Sequence, residues 1–292
     1  PQLKALFCFG DQQIFLPHVY RWCRRRRIPF VAYVGTAHSL DSNFKSKVMN
    51  ALFAAGTLRI YKKNPVLAKT SAAKEELRQL GVPHAVIAPV GLDNAVLKKN
   101  IPADEKMRLR KEHGFEADDV ILCNVSRLSW EKRPLELIDL FLQVKGKKKF
   151  KLIIVGNGPL EEELNEKIRK NGLEKEVKIY PNVPYEKMWE IYEMSDYYLN
   201  MNKGEIFGMA IMEAVYYKTS VAAIRALGPS VTLKDMKGHK LCENDDEMAE
   251  WITGPYPSEK DLQESSEKMA ATFTWDRCAD AFLQASSEKS SR

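Results

Sequence analysis

Two glutamates eight positions apart stand out because of their apolar surroundings. Glu205 and Glu213 both lie within "MNKGEIFGMAIMEAVYY" (201–217), where most neighbours are residues that proteins bury. Two other Glu pairs have the same spacing, but they lie in charged segments, where a solvated helix face is expected. A buried carboxylate is costly unless a hydrogen-bond donor meets it. Glu213 therefore needs such a donor, and the vicinal hydroxyl groups of a sugar would serve.

Two cations occupy the segment "SRLSWEKRP", which follows an apolar run at 120–125. Arg127 and Lys132 are thereby placed on a loop and at the start of the next helix. Side-chain cations beside the unpaired N–H groups of a helix start favour a diphosphate. Ordinary solvated surface is the alternative interpretation of an Arg and a Lys five positions apart.

Glycines in "VGNGPLEEEL" mark a second turn between a strand and a helix. Gly156 and Gly158 allow the backbone to turn tightly, and Pro159 suits the first position of a helix. A plain strand-to-helix turn is the favoured interpretation, and direct contact with a ligand is the alternative.

These segments lie in an alternation of apolar runs with longer segments of helical period, which predicts an α/β fold. Continuous apolar strands separated by helices indicate parallel sheets covered on both faces, with right-handed crossovers. Ligands of such sheets lie beyond the carboxyl ends of the strands. The predicted strands are 3–9, 29–34, 66–70, 85–90, 120–125, 151–156, 177–180, 197–200 and 220–224, and the predicted helices are 13–27, 43–56, 71–81, 133–145, 159–171, 185–195 and 207–217.

The helix predicted to begin near Phe207 supplies further donors. Backbone N–H groups at a helix start have no partner within the helix, so they can bind an anion or a hydroxyl group. The predicted donors are the amides of Ile206, Phe207, Gly208 and Met209.

The length of 292 residues predicts two domains. The segment from 91 to about 118 is polar and irregular, with room for a short helix. We predict a first domain over 1–100, a linker over 101–118, a second domain over 119–273 and a C-terminal helix over 274–292.

Composition limits the class of protein. With 45% hydrophobic and 29% charged residues the chain is typical of a soluble globular protein, and no apolar run approaches the roughly 18 residues of a membrane span. The five cysteines form no CxxC pair and have no nearby His cluster, which predicts free thiols in a reducing cytosol and no zinc site.

Charge is unevenly distributed along the chain. Residues 1–100 hold 16 Lys and Arg against 5 Asp and Glu, whereas the remainder holds 29 against 34. The first region is therefore a candidate for an anionic partner, and a solvated basic face without a partner is the alternative. Nucleic acid is disfavoured, because the arginine run "RWCRRRRIP" lacks interleaved aromatics beyond Trp22. Phe15 and Trp22, in the preceding helix, have the spacing of packing residues.

Four segments in this order carry a resemblance to a known family. "SRLSWEK", "IIVGNGP", "VPYEKMWEIYEMSD" and "EIFGMAIMEA" resemble the donor-binding domain of the family 4 retaining glycosyltransferases, whose signature is two Glu separated by seven residues. The closing "FTWDRCADAF" resembles the helix that crosses back to the first domain of that family. The resemblance implies the GT-B fold, two Rossmann-like domains facing across a cleft, with the first domain incomplete here.

By matching position, the resemblance implies a role for each site residue. Arg127 and Lys132 would neutralise the donor's diphosphate, Glu213 would accept from the ribose hydroxyls, and Glu205 with the amides of Phe207 to Met209 would hold the transferred sugar. Additional donor contacts would come from Gly156, Asn157, Val183 and Ile206. The leaving diphosphate would take the acceptor's proton, so neither a protein nucleophile nor a metal is expected, and a UDP- or GDP-sugar is the only cofactor.

The chain departs from this family near its start. A glycine-rich loop expected there is absent, and the chain begins at Pro1, so we expect part of the natural N-terminal region to be missing. Where the family often has His, this chain has Gly35, with His38 three positions later. His38 is a candidate for the cleft, and a loop His satisfied by polar neighbours is the alternative.

The predicted function is retaining transfer of a sugar from a nucleotide diphosphate sugar to a hydroxyl of a glycan or lipid-linked glycan, as in polysaccharide biosynthesis. Many relatives work at a membrane surface, so we predict a cytoplasmic protein whose basic first domain contacts the anionic inner face of the membrane. Two alternatives remain open, a nucleotide-sugar epimerase of the same fold and a nucleotide-binding partner subunit that is inactive alone.

Overall fold

The computed structural model describes residues 3–9, 15–36, 44–93 and 96–287. The chain divides into two compact units, one of Pro1–Gly91 with Phe273–Arg292 and the other of Leu92–Thr272. The predicted linker, 101–118, lies within the second unit, because Arg110 in this segment forms an ion pair of 2.6 Å with Asp196 of that unit. The C-terminal helix predicted over 274–292 belongs to the first unit.

The first unit is built on a short parallel sheet. Its strands lie in the order β1-β2-β3-β4. In chain order its elements are β1 (Leu6–Phe9), α1 (Leu16–Arg25), β2 (Phe30–Val34), α2 (Phe44–Leu52), a π-helical turn (Phe53–Thr57), α3 (Leu58–Tyr61), β3 (Val66–Ala68), α4 (Ser71–Gln79) and β4 (Val86–Ile87).

The second unit is built on a larger parallel sheet of order β10-β9-β8-β5-β6-β7. Its elements are α5 (Glu105–Glu112), β5 (Val120–Val125), a 3-10 turn (Trp130–Lys132), α6 (Pro134–Val144), β6 (Phe150–Val155), α7 (Glu161–Lys170), β7 (Val177–Tyr180), a 3-10 turn (Tyr185–Lys187), α8 (Met188–Met194), β8 (Tyr197–Asn200), α9 (Met209–Tyr216), β9 (Ser220–Ile224), α10 (Leu227–Thr232), β10 (Lys240–Cys242), α11 (Asp245–Thr253) and α12 (Glu259–Thr272). The last helix of the chain, α13 (Trp275–Ser287), belongs to the first unit.

Strand β2 shows why continuous apolar runs form these sheets. All five of its residues are buried, and alternate side chains face opposite layers. Phe30 and Val34 pack in the core that includes α1, the π-helical turn and α4. Tyr33 packs in the other core, where its ring lies 5.2 Å from that of Phe282 in α13. The first sheet is thus covered on both faces, as a parallel sheet requires.

The predicted α/β fold with two parallel-sheet domains is confirmed. Four of the predicted strands, 120–125, 177–180, 197–200 and 220–224, have their predicted bounds. Strand β10 was missed because three residues, "KLC", are too few to show a pattern. The five cysteines are free, as predicted, and all five are buried. None of the described helices has the length and apolar content needed to cross a bilayer.

Candidate active site

The candidate site lies where the order of the second sheet reverses. Counted from β5, the strands run 3-2-1-4-5-6 across the sheet, so the chain leaves β5 toward one edge and returns to β8 on its other side. Ligands of doubly wound sheets bind at this switch point, beyond the carboxyl ends of the strands. The loops after β5 and β8 carry the predicted Arg127, Lys132 and Glu205.

An ion pair joins these two loops. Lys132 ends the 3-10 turn after β5, and its Nζ lies 2.8 Å from Oε2 of Glu205 in the loop after β8. Only 23% of the Lys132 side chain and 15% of the Glu205 side chain are exposed. Two residues separated by 73 positions are thus held in contact at the switch point.

Two asparagines, Asn200 and Asn202, reinforce the position of this carboxylate. Their side-chain amides approach Oε2 of Glu205 at 3.5 Å and 3.2 Å, so both share the oxygen that accepts from Lys132. The Asn202 side chain is itself fixed, because its Oδ1 accepts from the backbone N–H of Gly204 at 2.8 Å. Within the described part of the chain, Oε1 of Glu205 receives no hydrogen bond. That oxygen is therefore available to a hydroxyl group of a ligand.

The pKa of Glu205 is lowered from its ordinary value. Burial acts to raise this pKa, but the hydrogen bond and charge of Lys132, together with the amides of Asn202 and Asn200, outweigh burial. Glu205 is consequently an anion at neutral pH and can act only as an acceptor.

A close backbone contact fixes the loop that carries Glu205. The backbone N–H of Gly228, in α10, donates to the carbonyl oxygen of Glu205 at 2.8 Å. A Cβ atom on Gly228 would lie 2.5 Å from the backbone nitrogen of Phe207, so only glycine allows this approach. Sequence reasoning missed Gly228, since a lone glycine gives no signal of which backbone it meets.

Helix α9 begins at Met209, two residues later than predicted. Gly208 precedes it in the left-handed conformation, with φ of 85°. The unpaired amides of the first turn therefore belong to Met209, Ala210 and Ile211. Of the four amides predicted as donors, only that of Met209 lies in this turn. The others, from Ile206, Phe207 and Gly208, lie in the loop.

Glu213 is held in a different way. It is 7% exposed, and both of its oxygens accept from tyrosines. The hydroxyl of Tyr185 donates to Oε1 at 3.1 Å, and that of Tyr192 donates to Oε2 at 2.8 Å. Burial raises the pKa of Glu213, and the two hydroxyl groups only partly offset it.

The donor that the sequence required for Glu213 is thus supplied from within the chain. Tyr185 lies in the 3-10 turn before α8, and Tyr192 lies in α8. Sequence reasoning missed both tyrosines. Their spacing of seven residues, which places two side chains on one helix face, was the available signal.

Arg127 and Lys132 differ in their surroundings. The Arg127 side chain is exposed and makes no hydrogen bond or ion pair with a described residue, whereas Lys132 is directed at Glu205. Both cations act on Glu131, whose pKa is lowered by a hydrogen bond from Ser129 and then by these charges. Arg127 is therefore the cation of this loop whose guanidinium is open to a ligand.

Gly156 and Gly158, which follow β6, are glycines because the backbone of the loop after β5 lies too close for a side chain. A Cβ atom on Gly156 would lie 1.9 Å from the carbonyl oxygen of Ser126, and one on Gly158 would lie 2.5 Å from that of Leu128. The loops after β5 and β6 therefore pack backbone against backbone, which agrees with the plain-turn interpretation. The Asn157 amide donates to the carbonyl of Pro181 at 3.2 Å, in the loop that also carries the half-buried Val183.

The remaining predicted candidate, His38, lies outside the described residues. Among the residues that the structure describes, no three His, Cys, Asp or Glu side chains are grouped as ligands for a metal ion.

Comparison with known proteins identifies the family to which the second unit is similar. Residues 105–269 match the family model described as Glycosyl transferases group 1. A D-inositol 3-phosphate glycosyltransferase of Mycobacterium avium is 26% identical over 297 residues, which cover 90% of this chain and 65% of that protein. An alpha-monoglucosyldiacylglycerol synthase of Streptococcus pneumoniae is 24% identical over 139 residues, which cover 47% of this chain and 32% of that protein. The chain spans less than two thirds of the length of these curated relatives.

A solved structure shows the same fold. The crystal structure of Anabaena Alr3699/HepE in complex with UDP and glucose superposes with a TM-score of 0.74 at 19% identity, covering 96% of this chain and 77% of that one. The two parallel-sheet domains of this chain therefore match the GT-B architecture.

Proposed function

This chain belongs to the group 1 glycosyl transferases, and on that premise we propose that it transfers a hexosyl group from a nucleotide diphosphate sugar to a hydroxyl acceptor. The observation that carries the proposal is the Lys132–Glu205 ion pair of 2.8 Å at the switch point of the second sheet. A cation and an acid held together there suit a ligand with a diphosphate at one end and sugar hydroxyls at the other. The UDP and glucose bound in the Anabaena structure support a nucleotide-sugar donor.

The diphosphate of the donor would be bound by Arg127, Lys132 and the start of α9. Lys132 has three N–H donors and directs one at Glu205, which leaves two for phosphate oxygens. Arg127 adds an exposed guanidinium that can bind two oxygens at once. The unpaired amides of Met209, Ala210 and Ile211 add donors at the positive end of a helix.

The hydroxyl groups of the donor would be bound by the two glutamates. Glu205 offers Oε1, while Oε2 is occupied by three donors. Glu213 accepts one tyrosine hydroxyl at each oxygen, and an ionised carboxylate has about four acceptor sites. Ribose hydroxyls can therefore add to the tyrosines without displacing them. Asn157 and Val183, on the loops after β6 and β7, remain proposed donor contacts.

We propose retention of the anomeric configuration, with the leaving diphosphate as the base. The bond between the anomeric carbon and the diphosphate oxygen breaks, and its electron pair leaves on that oxygen. The acceptor hydroxyl oxygen bonds to the anomeric carbon from the same face, and its proton passes to the diphosphate. The protein then contributes positioning and stabilisation of negative charge, which are large terms for such leaving groups.

The acceptor is proposed to be a hydroxyl of a glycan or lipid-linked glycan. The name of the Streptococcus pneumoniae relative, a synthase of a glucosylated diacylglycerol, supports a lipid acceptor. A cytoplasmic site of action at the inner face of the membrane remains a prediction, and so does the expectation that no metal is required. The epimerase alternative is not favoured, because both curated relatives reported above are named for the formation of glycosides.

The test substitutes Arg127, whose exposed guanidinium is the proposed ligand for the diphosphate. We expect UDP, GDP or ADP, or one of their sugar conjugates, to raise the midpoint of thermal unfolding, since a ligand at 100 times its dissociation constant stabilises a protein by about 2.7 kcal/mol. Arg127→Ala should lose most of this shift and abolish transfer of radiolabelled sugar, while the unfolding midpoint without ligand stays unchanged.

Lys170→Ala is the matched control, because it removes a cation that is 71% exposed on α7 and that pairs, among the described residues, only with its helix neighbour Glu166. It should keep both the shift and the transfer. Full transfer by Arg127→Ala would refute the assigned role. Conversion of the donor to an isomeric sugar in the absence of any acceptor would establish the epimerase instead.

A further inference from the structure

A cavity of the second unit lies away from the candidate active site. Its volume is about 850 Å³, which falls within the range of about 300–1,000 Å³ that is typical of small-molecule sites. Its lining residues Ser195 and Lys218 come just before β8 and β9, whereas Arg127 and Glu205 come after β5 and β8. The cavity therefore lies at the amino edge of the sheet, and the candidate active site lies at the carboxyl edge.

Several segments of the second unit form the walls of this cavity. One wall consists of the loop from Lys98 to Ala103 together with α5, and another consists of the C-terminal ends of α8 and α9. Helix α12 contributes a third wall, because its lining residues recur at helical spacing along one face. All of these residues lie within the second unit, so the cavity is complete without the first.

Lysines line the cavity at four positions, which are Lys98, Lys99, Lys106 and Lys218. The Nζ atom of Lys106 is already bound, since it lies 2.9 Å from Oδ1 of Asp196. Lys99 and Lys218 are exposed, and their ammonium groups make no ion pair or hydrogen bond with another residue that the structure describes. These two cations are therefore open to an anionic ligand.

Glu193 of α8 brings a hydrogen-bond acceptor to the same cavity. Its side chain is half-buried, and within the described ranges of the chain no group donates a hydrogen bond to its oxygens. Burial raises the pKa of Glu193, and the charges of Lys106 and Lys218 oppose this effect, so both cations lie near this acid. A polar group that burial takes from water gains from a new partner, and a hydroxyl group of a ligand would serve.

Helix α12 and two tyrosines add further groups that suit a hydroxylated ring. Glu259 and Glu267 of α12 line the cavity, and the amide of Gln263 donates to Oε1 of Glu267 at 2.8 Å. Tyr216 and Tyr256 also line it, and the hydroxyl of Tyr256 donates to the carbonyl oxygen of Asp196 at 3.1 Å. Aromatic side chains offer apolar contact area beside such polar groups. The cavity thus combines cations, acceptors and aromatic surface.

We propose that this cavity binds a small phosphorylated sugar. The phosphate binds the open ammonium groups of Lys99 and Lys218, which act as point charges. The hydroxyl groups of the sugar donate to Glu193 and to the two acids of α12, Glu259 and Glu267. Because the donor site at the carboxyl edge takes no part, the proposal is independent of the proposed function.

The mixture of charges in the cavity disfavours other ligands. Four lysines repel a divalent cation, and three carboxyl groups repel a polyanion such as nucleic acid. A wholly apolar ligand would leave the lysines and acids without partners. A ligand with one anionic group and several hydroxyl groups satisfies both.

The test is isothermal titration calorimetry of the 292-residue chain with mannose 6-phosphate, in the presence of excess UDP. This probe carries its phosphate away from the anomeric carbon, so it does not copy the donor. We expect binding that weakens as salt is raised. Mannose alone and inorganic phosphate alone should each bind at least about tenfold more weakly, because each lacks half of the contacts.

Two variants test the two ends of the ligand. Lys99→Gln combined with Lys218→Gln should weaken binding of mannose 6-phosphate by about tenfold or more, because it removes both open cations. Glu193→Ala should weaken binding by about tenfold, because it removes a charged acceptor. Thermal unfolding should stay unchanged in the lysine variant, since both substituted side chains are exposed.

Lys147→Gln combined with Lys170→Gln is the matched control, because both lysines are exposed on the second unit and neither lines the cavity. It should keep the affinity of the wild type. Absence of binding to the wild type, or unchanged binding by the Lys99 and Lys218 variant, would overturn the proposal. Inorganic phosphate binding as tightly as mannose 6-phosphate would reduce the cavity to an adventitious anion site. Displacement of mannose 6-phosphate by UDP would assign the sugar phosphate to the donor site instead.

Discussion

The loop that carries Glu205 and the helix that carries Glu213 place the same type of side chain in environments that shift its pKa in opposite directions. Glu205 is held by an ammonium group and two amides, and its pKa is lowered. Glu213 is held by the hydroxyl groups of Tyr185 and Tyr192, and its pKa is raised. Burial acts to raise the pKa of both carboxyls.

The two acids differ in the charge of their donors, in the number of hydrogen bonds they accept and in burial: Lys132 acts on Glu205, whereas Glu213 has two neutral donors and is more deeply buried. A charged donor favours the ionised carboxylate through both its charge and its hydrogen bond, whereas a neutral hydroxyl offers only the hydrogen bond. Two acids whose surroundings push their pKa values apart are suited to different tasks. Glu205 is suited to remain an anion beside a bound sugar. Glu213 ties α9 to α8 through Tyr192.

Removing the charged donor of Glu205 should have the largest effect. Lys132→Met leaves this carboxylate without its cation and takes two N–H donors from the proposed diphosphate site. We expect kcat/KM for transfer to fall by about 100-fold or more, as for loss of a donor aimed at developing negative charge.

A double-mutant cycle that combines Lys132→Met with Glu205→Gln measures the interaction between the two residues separately from the contribution of each residue alone. Expressed as free energies, the losses of kcat/KM in the two single variants should add up to more than the loss in the double variant, because each single substitution already breaks the same ion pair. Lys187→Met, an exposed lysine after β7, is the control and should leave kcat/KM unchanged. Strictly additive losses would mean that Lys132 and Glu205 act separately.

Removing the neutral donors of Glu213 should affect stability more than chemistry. Tyr192→Phe deletes a hydroxyl from a fully buried pair, and we expect the free energy of unfolding to fall by about 1–3 kcal/mol. Tyr185→Phe is the matched comparison, because Tyr185 is 43% exposed and water can replace its hydroxyl at the carboxylate. Its cost should be about 0.5 kcal/mol or less. Chemical denaturation measures both, and equal costs would contradict the different burial of the two tyrosines.

The smallest expected effect is a difference between Glu205 and Glu213 in how each affects the pH dependence of stability. Because folding raises the pKa of Glu213, the wild type should lose stability relative to Glu213→Gln as pH rises from the ordinary Glu pKa of about 4.3 through the raised value. Because folding lowers the pKa of Glu205, the wild type should lose stability relative to Glu205→Gln as pH falls below about 4.3. Thermal unfolding across this pH range measures both slopes, and slopes of the same sign would contradict the assigned environments.

Much of the second unit could be predicted from sequence, because its strands are continuous apolar runs. Strands β5, β7, β8 and β9 have the predicted bounds, and two of the four loops selected as the place for a site, those after β5 and β8, meet in the Lys132–Glu205 ion pair. Helix α9 was predicted two residues too long at its start, because an apolar pattern does not reveal that Gly208 is left-handed.

The contacts of the site residues could not be predicted in the same way. Lys132 and Glu205 each suggested a ligand, yet nothing along the chain indicated that they contact each other. The donors of Glu213 were sought in a sugar because the spacing of Tyr185 and Tyr192 places them on one helix face but does not indicate which residue that face meets.

The sequence by itself determined the alternation of strands and helices, the excess of positive charge in the first region and the positions of the two glutamates. Only the tertiary structure decided that a lysine meets one glutamate and tyrosines meet the other, and that Phe15 and Trp22 of the first region are exposed. The physical reason is that periodicity is a local property of the chain. The pKa of an acid and the exposure of an apolar side chain depend instead on groups that the crossovers of the sheet bring from distant positions.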